Sequence, residues 1–410
     1  MEEWKEYKLG EVINILDYKR IPLSSAERKT REGGFPYYGA QGIIDYIDDY
    51  IFDGTYLLIA EDGENLKSKK QDIAQLAHGK YWVNNHAHIV ESNGICDIRY
   101  LCYILNNIDL SGYITGSAQP KLNQANLSAI SIILPPLNLQ EQIADFISMF
   151  DNKIELNQRI NDNLEQQAQA LFKSWFVDFE PFKEGKFVDS ELGMIPEGWR
   201  IGTLNELIIS TLGGDWGKED AIGNYVKKVS CIRGADIPEI RQGNRGNMPT
   251  RFILNKNFLN KALKAEDLVV EISGGSPTQS TGRICQISDT LLKKYDDVVI
   301  CTNFCRAIKT KHPYSQFIYY LWEYLYKRGV MFLYENGTTG IKNLDINGLL
   351  EKEIIVIPDE NTVHKYTGLC NLFSQIVQSN GYESERLVKL RDTLLPKLMS
   401  GELKINDINN

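Results

Sequence analysis

The chain has 410 residues, 43% of them hydrophobic, and a net charge of −9, which favours two or more folded domains and excludes a wholly disordered chain. The acidic total argues against a self-sufficient basic nucleic-acid binder, although local basic patches remain compatible with DNA binding. No apolar stretch approaches the roughly 18 residues of a membrane span, and the charged N-terminus does not resemble a signal peptide. Seven scattered cysteines predict free buried thiols in a reducing, cytoplasmic environment.

The two halves of the chain contain short stretches that match each other. Trp4 and Leu9 recur as Trp199 and Leu204, at an offset of 195 residues. A second match, offset by 221 to 223 residues, pairs Gly116-Ser117, Lys121 and 132–135 with Gly337-Thr338, Lys342 and 355–358. Because the flanks match and the middles diverge, the sequence indicates one scaffold used twice to present two different surfaces. Coincidence between two generic α/β domains is the alternative.

A long helical pattern follows each proline-ended run. Mostly apolar residues recur at alternating spacings of four and three, which is typical of a coiled-coil seam. The ten seam positions of each helix, offset by 223 residues, are Ile143, Ile147, Phe150, Ile154, Asn157, Asn161, Leu164, Ala168, Leu171 and Trp175, and Tyr366, Cys370, Phe373, Val377, Asn380, Ser384, Leu387, Arg391, Leu394 and Leu398.

The two seams carry polar residues at the same places, and a buried Asn in such a seam fixes its register. The matched levels, Asn157/Asn380 and Asn161/Ser384, predict that helices 139–176 and 362–398 pair antiparallel within one molecule. The alternative is that each helix packs separately on its own domain. Gly381 is expected to weaken the second helix by about 1 kcal/mol relative to alanine.

The segments between the matched flanks have mixed α/β character. Strands are predicted at 56–60, 88–90, 268–272 and 298–300, and short buried helices at 100–105 and 317–321. The predicted fold class is therefore mixed α/β, with two globular α/β domains in tandem. Two long helices separate these domains as an antiparallel intramolecular coiled coil with pseudo-two-fold symmetry.

Motifs for nucleotide and methyl-group chemistry are missing from the sequence. Residues 337–342 come nearest to a P-loop, but they lack its spacing and the hydroxyl residue after the lysine. Pro135-Pro136 lacks the polar and aromatic neighbours with which a methyltransferase holds a target amine. Asp178 with Glu184 and Lys186 only faintly matches a metal-dependent nuclease, because a linker provides no strand to hold the carboxylates together. We therefore predict no catalytic residue in this chain.

Candidate metal ligands are equally sparse. A zinc site could be imagined from Cys285, Cys301, Cys305 and His312, but the spacing does not fit a paired-cysteine knuckle and favours buried thiols. His86 and His88 would share one face of a strand without an evident third ligand, which favours a surface or hydrogen-bonding role. We predict no metal site.

The strongest nucleic-acid candidate is segment 218–251, which has seven basic and four acidic residues. Arginine makes bidentate bonds to guanine, and Asn or Gln to adenine. The predicted DNA-binding residues here are Lys218, Lys227, Lys228, Arg233, Arg241, Gln242, Asn244, Arg245 and Arg251. The first half offers a smaller set: Tyr38, Gln41, Asn65, Lys67, Lys69 and Lys70. Solvated surface loops, and core packing of Tyr37 and Tyr38, are the alternatives.

Five runs together resemble a known family, the DNA-specificity (S) subunit of type I restriction–modification enzymes. They are 132–144 (IILPPLNLQEQIA), 175–182 (WFVDFEPF), 190–199 (SELGMIPEGW), 36–43 (PYYGAQGI) and 84–88 (NNHAH). The resemblance implies target-recognition domains at 1–134 and 199–357. Long spacer helices would occupy 135–180 and 358–402, with a linker at 181–198.

The resemblance also implies a non-catalytic subunit that reads a bipartite target in double-stranded DNA. The paired helices would act as a ruler and dock two methyltransferase subunits, while restriction translocase-nuclease subunits complete the complex. S-adenosylmethionine, ATP and Mg are expected on those partners and no cofactor on this chain. Two other functions remain open: a coiled-coil structural adaptor without DNA readout, and a nuclease or methyltransferase with unrecognised catalytic residues.

Overall fold

The computed structural model of the chain describes residues 4–116, 119–275, 279–337 and 342–405. Ser117 and Thr338 of the repeated motif, and most of the P-loop-like run, lie outside the described residues. The chain divides into two compact units. The first comprises residues 1–152 and 389–410, and the second comprises residues 153–388.

The first unit combines short strands with short helices and the beginning of a long one. Its strands are β1 (Lys5–Lys8), β2 (Ile13–Ile15), β3 (Glu32–Gly39), β4 (Gly42–Ile47), β5 (Phe52–Asp53), β6 (Tyr56–Ala60), β7 (Ala74–Ala77), β8 (Lys80–Val83), β9 (Ala87–Ser92) and β10 (Ser131–Leu134). Its helices are α1 (Ser25–Thr30), α2 (Asn65–Ser68), α3 (Ile98–Asn107), α4 (Gln124–Ala129) and the first part of α5 (Leu137–Phe176). The strands form two sheets, ordered β4-β3-β8-β5 and β2-β9-β6-β7, and the antiparallel pair β1–β10.

Local sequence explains the central elements of this unit. Residues 57–60 of β6 are all buried, as expected for an apolar run covered on both faces of a sheet. Asp97 caps α3 by accepting hydrogen bonds from the amides of Arg99 and Tyr100, which satisfies donors that a helix start leaves free. The buried residues of α3, including Tyr100 and Leu105, recur at helical spacing and confirm the predicted short helix.

The second unit repeats this plan with more elements. Its strands are β11 (Phe187–Val188), β12 (Ile195–Pro196), β13 (Arg200–Thr203), β14 (Ile208–Gly213), β15 (Tyr225–Ile232), β16 (Thr250–Leu254), β17 (Leu268–Glu271), β18 (Ser273–Gly274), β19 (Ile284–Gln286), β20 (Val298–Cys301), β21 (Cys305–Thr310), β22 (Glu335–Asn336), β23 (Lys342–Leu344) and β24 (Ile354–Ile357). Its helices are α6 (Ile237–Arg241), α7 (Asn255–Phe258), α8 (Asp289–Lys293), α9 (Ser315–Lys327), α10 (Ile346–Lys352), the rest of α5, and most of α11 (Glu360–Met399).

The two units share one strand topology. The antiparallel sheet β2-β9-β6-β7 corresponds to β14-β21-β17-β19, and the mixed sheet β4-β3-β8 corresponds to β16-β15-β20. The repeated flanks also pair alike, because β1 pairs with β10 (Lys5 opposite Leu134) as β13 pairs with β24 (Arg200 opposite Ile357). The repeat seen in the sequence is therefore a repeat of fold.

In the first unit, the start of α5 pairs with the end of α11. Ile143, Ile147 and Leu398 belong to one buried apolar cluster. Next to it, Arg391 donates a hydrogen bond to Asp151 at 2.7 Å. Here seam positions of the two helices share a core, as the seam pattern predicts.

In the second unit, the polar seam positions bond across the helix pair. The Asn157 amide donates to the Ser384 hydroxyl at 3.2 Å, and the Asn380 amide donates to Asn161 Oδ1 at 2.8 Å. The bonded residue numbers rise along α5 and fall along α11, so the two helices run antiparallel. The antiparallel pairing and the polar levels are confirmed.

Within the described ranges, none of the helices combines the length and the apolar run that a bilayer span requires.

Candidate nucleic-acid interface

Two residues of the first unit that the sequence predicts to contact DNA, Tyr38 and Gln41, lie at the hairpin between β3 and β4. Gln41 is exposed at the turn, and the following Gly42 adopts a positive φ of 118°, a conformation that favours glycine. Tyr38 is half-buried, with its ring edge-on to Tyr81 at 5.3 Å. Burial raises the pKa of Tyr38 above its ordinary value. The hairpin thus offers one free amide and one partly covered hydroxyl.

The other predicted contacts of the first unit cluster around α2. Asn65 is buried and closes a loop, because its amide donates to the Gln71 carbonyl at 2.8 Å and its oxygen accepts from the Gln71 amide. Lys67 and Lys69 are exposed, but their ammonium groups donate to the backbone carbonyls of Gly116 (2.9 Å) and Ile108 (2.6 Å). Lys70 is also exposed. Three lysines therefore place positive charge on this surface, whereas Asn65 is used internally.

In the second unit, the predicted lysines lie on and beside β15. Lys218 and Lys228 are exposed and Lys227 is half-buried. Lys228 forms an ion pair with Asp297 at 3.0 Å. Lys218 and Lys227 lie over aromatic rings, at 5.8 and 5.3 Å from the centroids. All three positions leave part of the charge accessible to a phosphate backbone.

The flanking arginines of segment 218–251 make internal contacts. Arg251 is buried, donates to the Trp216 carbonyl at 3.0 Å and stacks on the Trp216 ring at 4.1 Å. Arg233 pairs with Asp236 at 3.0 Å and donates to the Asn247 carbonyl at 2.6 Å. These contacts stabilise the surroundings of Trp216 and the loop that ends at Asn247.

Arg241 lies in a buried ion-pair cluster. Its guanidinium donates to both carboxylate oxygens of Glu323, at 3.0 and 2.8 Å, and to Glu165 of α5 at 3.3 Å. Glu323 is 2% exposed. Burial lowers the pKa of Arg241, but the neighbouring tyrosine and carboxylates outweigh it, so the net shift is upward and the group stays charged. The structure thus gives Arg241 protein partners.

The loop 241–245 contacts α5 through Gln242. Gln242 donates to Asp162 of α5 at 2.7 Å, and its carbonyl accepts from the Asn161 amide at 3.0 Å. The Asn244 amide donates to Glu239 at 2.8 Å. The polar level of the seam therefore anchors a loop in addition to fixing register.

Arg245 marks the exposed end of the loop. Its backbone amide donates to Glu385 of α11, and its carbonyl accepts from the Tyr295 hydroxyl at 2.7 Å. The Arg245 guanidinium lies 4.7 Å from the Tyr295 ring centroid, and the residue is exposed. Within segment 241–245, Arg245 is the residue with the most accessible charge.

Glycine is required where this loop meets α11. A Cβ on Gly381 would lie 2.3 Å from the Gly243 carbonyl carbon and 2.7 Å from the Gln242 carbonyl oxygen. Gly243 has a φ of 78°, and a Cβ there would lie 2.3 Å from the Val377 carbonyl oxygen. The prediction that Gly381 merely weakens α11 is incomplete, because α11 runs unbroken through this position and the glycine admits the loop.

The residues that hold the loop were missed at the sequence level. Glu165, Lys294, Glu323 and Glu385 are far from it along the chain, and Lys294 donates to the Gly243 carbonyl at 2.8 Å. No local motif marks such partners, since each is one charged residue among many.

One cluster of acidic and histidine groups lies in the first unit. Asp17, Glu61 and His88 bring their ligand atoms within 4.8 Å of one another. Arg20 pairs with both carboxylates, at 3.2 and 2.8 Å, and His88 contacts Asp17 at 2.6 Å and the Leu122 carbonyl at 2.7 Å. The two carboxylates are thus engaged by Arg20, and both ring nitrogens of His88 have hydrogen-bond partners. His86, by contrast, is half-exposed and bonded to Asp62.

This cluster predicts a pH-dependent stability. Burial raises the pKa of Asp17, but hydrogen bonds from His88, Gln124 and the Ile89 amide outweigh burial, so the pKa lies below its usual value. The stabilisation is present above the unfolded pKa of about 4 and is lost as pH falls through the folded pKa. We expect Asp17→Asn to lower stability at pH 7 and to flatten the loss below about pH 4. Unfolding measured against pH, with the exposed Asp53→Asn as control, checks this. An unchanged Asp17→Asn profile would refute it.

The cysteines of the second unit are core residues. Cys285, Cys301 and Cys305 are buried in one apolar cluster and are free thiols. Burial raises the pKa of Cys301 and Cys305 to about 12. These thiols are therefore protonated at neutral pH, which disfavours both nucleophilic and metal-ligand roles.

Comparisons with known proteins agree on one class. A family model described as "Type I restriction modification DNA specificity domain" matches residues 1–166. The chain is 28% identical to the type I restriction enzyme MjaIX specificity subunit of Methanocaldococcus jannaschii, over 99% of this chain and 98% of that protein. It is 24% identical to the HindI specificity subunit of Haemophilus influenzae, over 98% of this chain and 100% of that protein.

A solved structure agrees at the level of fold. The crystal structure of a type I restriction-modification system S subunit from M. genitalium aligns with 97% of this chain and 96% of its own length. The TM-score is 0.51 and the sequence identity is 16%, so this likeness concerns the fold.

Proposed function

We propose that this chain, which belongs to the specificity-subunit family of type I restriction–modification enzymes, is the non-catalytic component that reads a bipartite DNA target. The observation that carries this proposal is the repeated topology, in which sheet β2-β9-β6-β7 of one unit recurs as β14-β21-β17-β19 of the other. Two similar scaffolds with different surfaces are what separate recognition of two half-sites requires. The domain division at 1–134, 135–180, 181–198, 199–357 and 358–402 is part of this proposal.

The long helices provide a surface for methyltransferase subunits. Apolar side chains are exposed along both helices at helical spacing, and they are Met149, Leu156 and Ile160 of α5, and Leu369, Leu372 and Ile376 of α11. Met149 and Leu372 are equivalent at the offset of 223 residues. The other exposed positions differ between the helices, so the exposed apolar residues favour a docking face on each helix that shares this one position. The methyltransferases would carry S-adenosylmethionine and flip the target adenine, and translocase-nuclease subunits would add ATP- and Mg-dependent cleavage.

The chemistry of the described residues supports a non-catalytic role. The nuclease-like Asp178 pairs with Lys173 at 2.6 Å, just after the end of α5. The acidic cluster around His88 is neutralised by Arg20. The carboxylates of Asp178, Asp17 and Glu61 are therefore each paired with a neighbouring cation.

We expect the isolated chain to bind DNA weakly, because its net charge is −9 and cations such as Lys228 and Arg233 are already paired. Affinity should rise sharply with the methyltransferase subunit and fall steeply with salt, by a log–log slope of about −0.9 per phosphate contacted. A binding assay over a salt series, with and without the methyltransferase, measures both. Tight binding by the chain alone, unaffected by the partner, would contradict this distribution of contacts. No sequence preference in the assembled complex would favour the structural-adaptor alternative.

A further inference from the structure

Two short loops occupy equivalent places in the two units. Loop 84–86 joins β8 to β9, and loop 302–304 joins β20 to β21. β8 pairs parallel with β3, as β20 pairs parallel with β15. β9 and β21 each lie second in their antiparallel sheet. Each loop therefore passes from a mixed sheet to a neighbouring antiparallel sheet at the same point of the fold.

The backbone of the first loop is fixed at both ends. The Asn84 amide donates to the Tyr38 carbonyl at 3.0 Å, and the His86 carbonyl accepts from the Glu61 amide at 2.9 Å. The Asn84 side chain also accepts from the His86 amide at 2.8 Å. These bonds fix the loop through its backbone and Asn84, and His86 adds one half-exposed contact, to Asp62 at 2.8 Å.

The second loop is fixed by the same two bonds. The Thr302 amide donates to the Ile232 carbonyl at 2.9 Å, and the Phe304 carbonyl accepts from the Ile272 amide at 2.8 Å. Because these bonds match those of the first loop, the two loops are equivalent in structure as well as in order. Their sequences, NNH and TNF, share one residue.

Burial follows the same pattern in both loops. The first residue of each is buried and the next two are exposed. The exposed pairs are Asn85 with His86, and Asn303 with Phe304. An asparagine amide can read the edge of a base, and a ring can contact or wedge against bases. An aromatic side chain such as Phe304, 59% exposed on a rigid loop, is suited to contact a partner.

A cavity beside the second loop adds an independent observation. It measures about 250 Å³, and its lining includes Trp216, Arg233, Thr302 and Phe304. Thr302 is 1% exposed, and its hydroxyl hydrogen-bonds with the Cys305 side chain. Trp216 is 37% exposed, and Arg251 stacks on it. Two exposed aromatic residues, Trp216 and Phe304, therefore line one cavity together with Arg233, and a ligand can reach it.

We propose that loops 84–86 and 302–304 are the corresponding base-contacting elements of the two recognition domains, each reading one half of a double-stranded DNA target. This inference rests on the proposed function and names the residues that determine specificity. A duplicated scaffold keeps a platform at the same place and changes the target by changing its exposed side chains. The loop at 241–245 has less of this freedom, because Arg241 pairs with the buried Glu323, whereas the one such bond at the tip of loop 84–86, from His86 to Asp62, is half-exposed.

The test uses the full chain with its methyltransferase subunit, and sequencing of methylated adenines as the readout. The double variant Asn85→Ala/His86→Ala should relax one half of the methylated motif, and Asn303→Ala/Phe304→Ala the other half. We expect a loss of about ten- to hundredfold in preference at the affected positions. His78→Ala and Leu259→Ala, both at exposed positions outside the loops, should leave the motif unchanged.

A variant that should change the specificity without abolishing it distinguishes an altered readout from a loss of folding. His86→Phe gives the first loop the Asn-Phe tip of the second, and it should alter the bases preferred in one half-site while methylation continues. If the unaltered complex methylates a defined motif and all loop variants keep that motif, the inference is overturned and the proposed function stands. If the unaltered complex shows no sequence preference, the proposed function itself fails and the inference fails with it.

Discussion

Arg241→Ala is expected to lower the free energy of unfolding of this chain by about 3–5 kcal/mol, because it leaves a buried carboxylate without its partner. Glu323 is 2% exposed and receives two hydrogen bonds from Arg241. Glu165 of α5 shares the same guanidinium. Urea unfolding, followed by circular dichroism, measures the loss.

The matched control is Arg159→Ala in α5, the helix that also carries Glu165. Arg159 forms an exposed ion pair with Glu155 at 3.9 Å, and such pairs contribute only about 0.3–0.5 kcal/mol. If Arg241→Ala costs no more than Arg159→Ala but abolishes recognition of one half-site, then Arg241 reads DNA, as the arginine-rich sequence alone predicts. A large stability loss instead assigns Arg241 to holding the loop and helices together.

Gly381→Ala should destabilise the second unit although it places a better helix former in α11. The new methyl group would meet backbone atoms of Gly243 and Gln242 at 2.3–2.7 Å, so the loop must move away from α11. Overpacking costs about 1–3 kcal/mol, and a clash with backbone atoms belongs at the upper end of that range, above the gain of about 1 kcal/mol in helix propensity. Thermal unfolding of the purified chain shows directly whether Gly381→Ala lowers or raises its stability.

Gly368→Ala separates the two effects. Gly368 lies in the same helix, and a Cβ there would have no described atom within 4 Å. This variant should gain about 1 kcal/mol. If both glycine variants stabilise the chain to the same extent, the contact of the 242–243 loop with α11 is wrong.

The features that the sequence predicted correctly depend on spacing. The seam positions recur every three or four residues, so Asn157 and Ser384 could each be placed on the seam of its own helix before their bond was seen. The repeated flanks likewise reflect short-range patterns, and strands β1 and β13 pair as the match implies.

What the sequence could not supply depends on long-range contacts. Arg241 and Arg245 lie four residues apart in one basic run, yet Arg241 pairs with Glu323 and Arg245 is exposed. A solvated loop, a DNA-reading loop and a loop anchored on helices have the same composition. The equivalence of loops 84–86 and 302–304 also required the strand pairing, because their sequences differ at two of three positions.

The predicted set of DNA-binding residues stays a prediction, but the structure ranks its members. Exposed cations such as Lys70 and Lys218 remain available to phosphates. Asn65 and Arg251 have buried structural contacts. Phosphate contacts position a protein, whereas base contacts specify a sequence, so these lysines suit the first task and the exposed loop tips the second.

If two recognition domains read a bipartite target, the length of the helix pair should set the spacer between the half-sites. The most direct test inserts one heptad between Asn152 and Lys153 of α5, and another between Val388 and Lys389 of α11. In an antiparallel pair with Asn157 beside Ser384, these two points lie at the same level. Both insertions keep the seam in phase, and they preserve the Asp151–Arg391 and Lys153–Glu383 pairs.

The measurement is sequencing of methylated adenines in cells that express the lengthened chain with its methyltransferase. Seven residues of helix add about 10 Å, so we expect unchanged half-sites separated by a spacer that is about three base pairs longer. A lengthened chain that folds, still directs methylation and keeps the original spacer would show that the helix pair does not set the spacer.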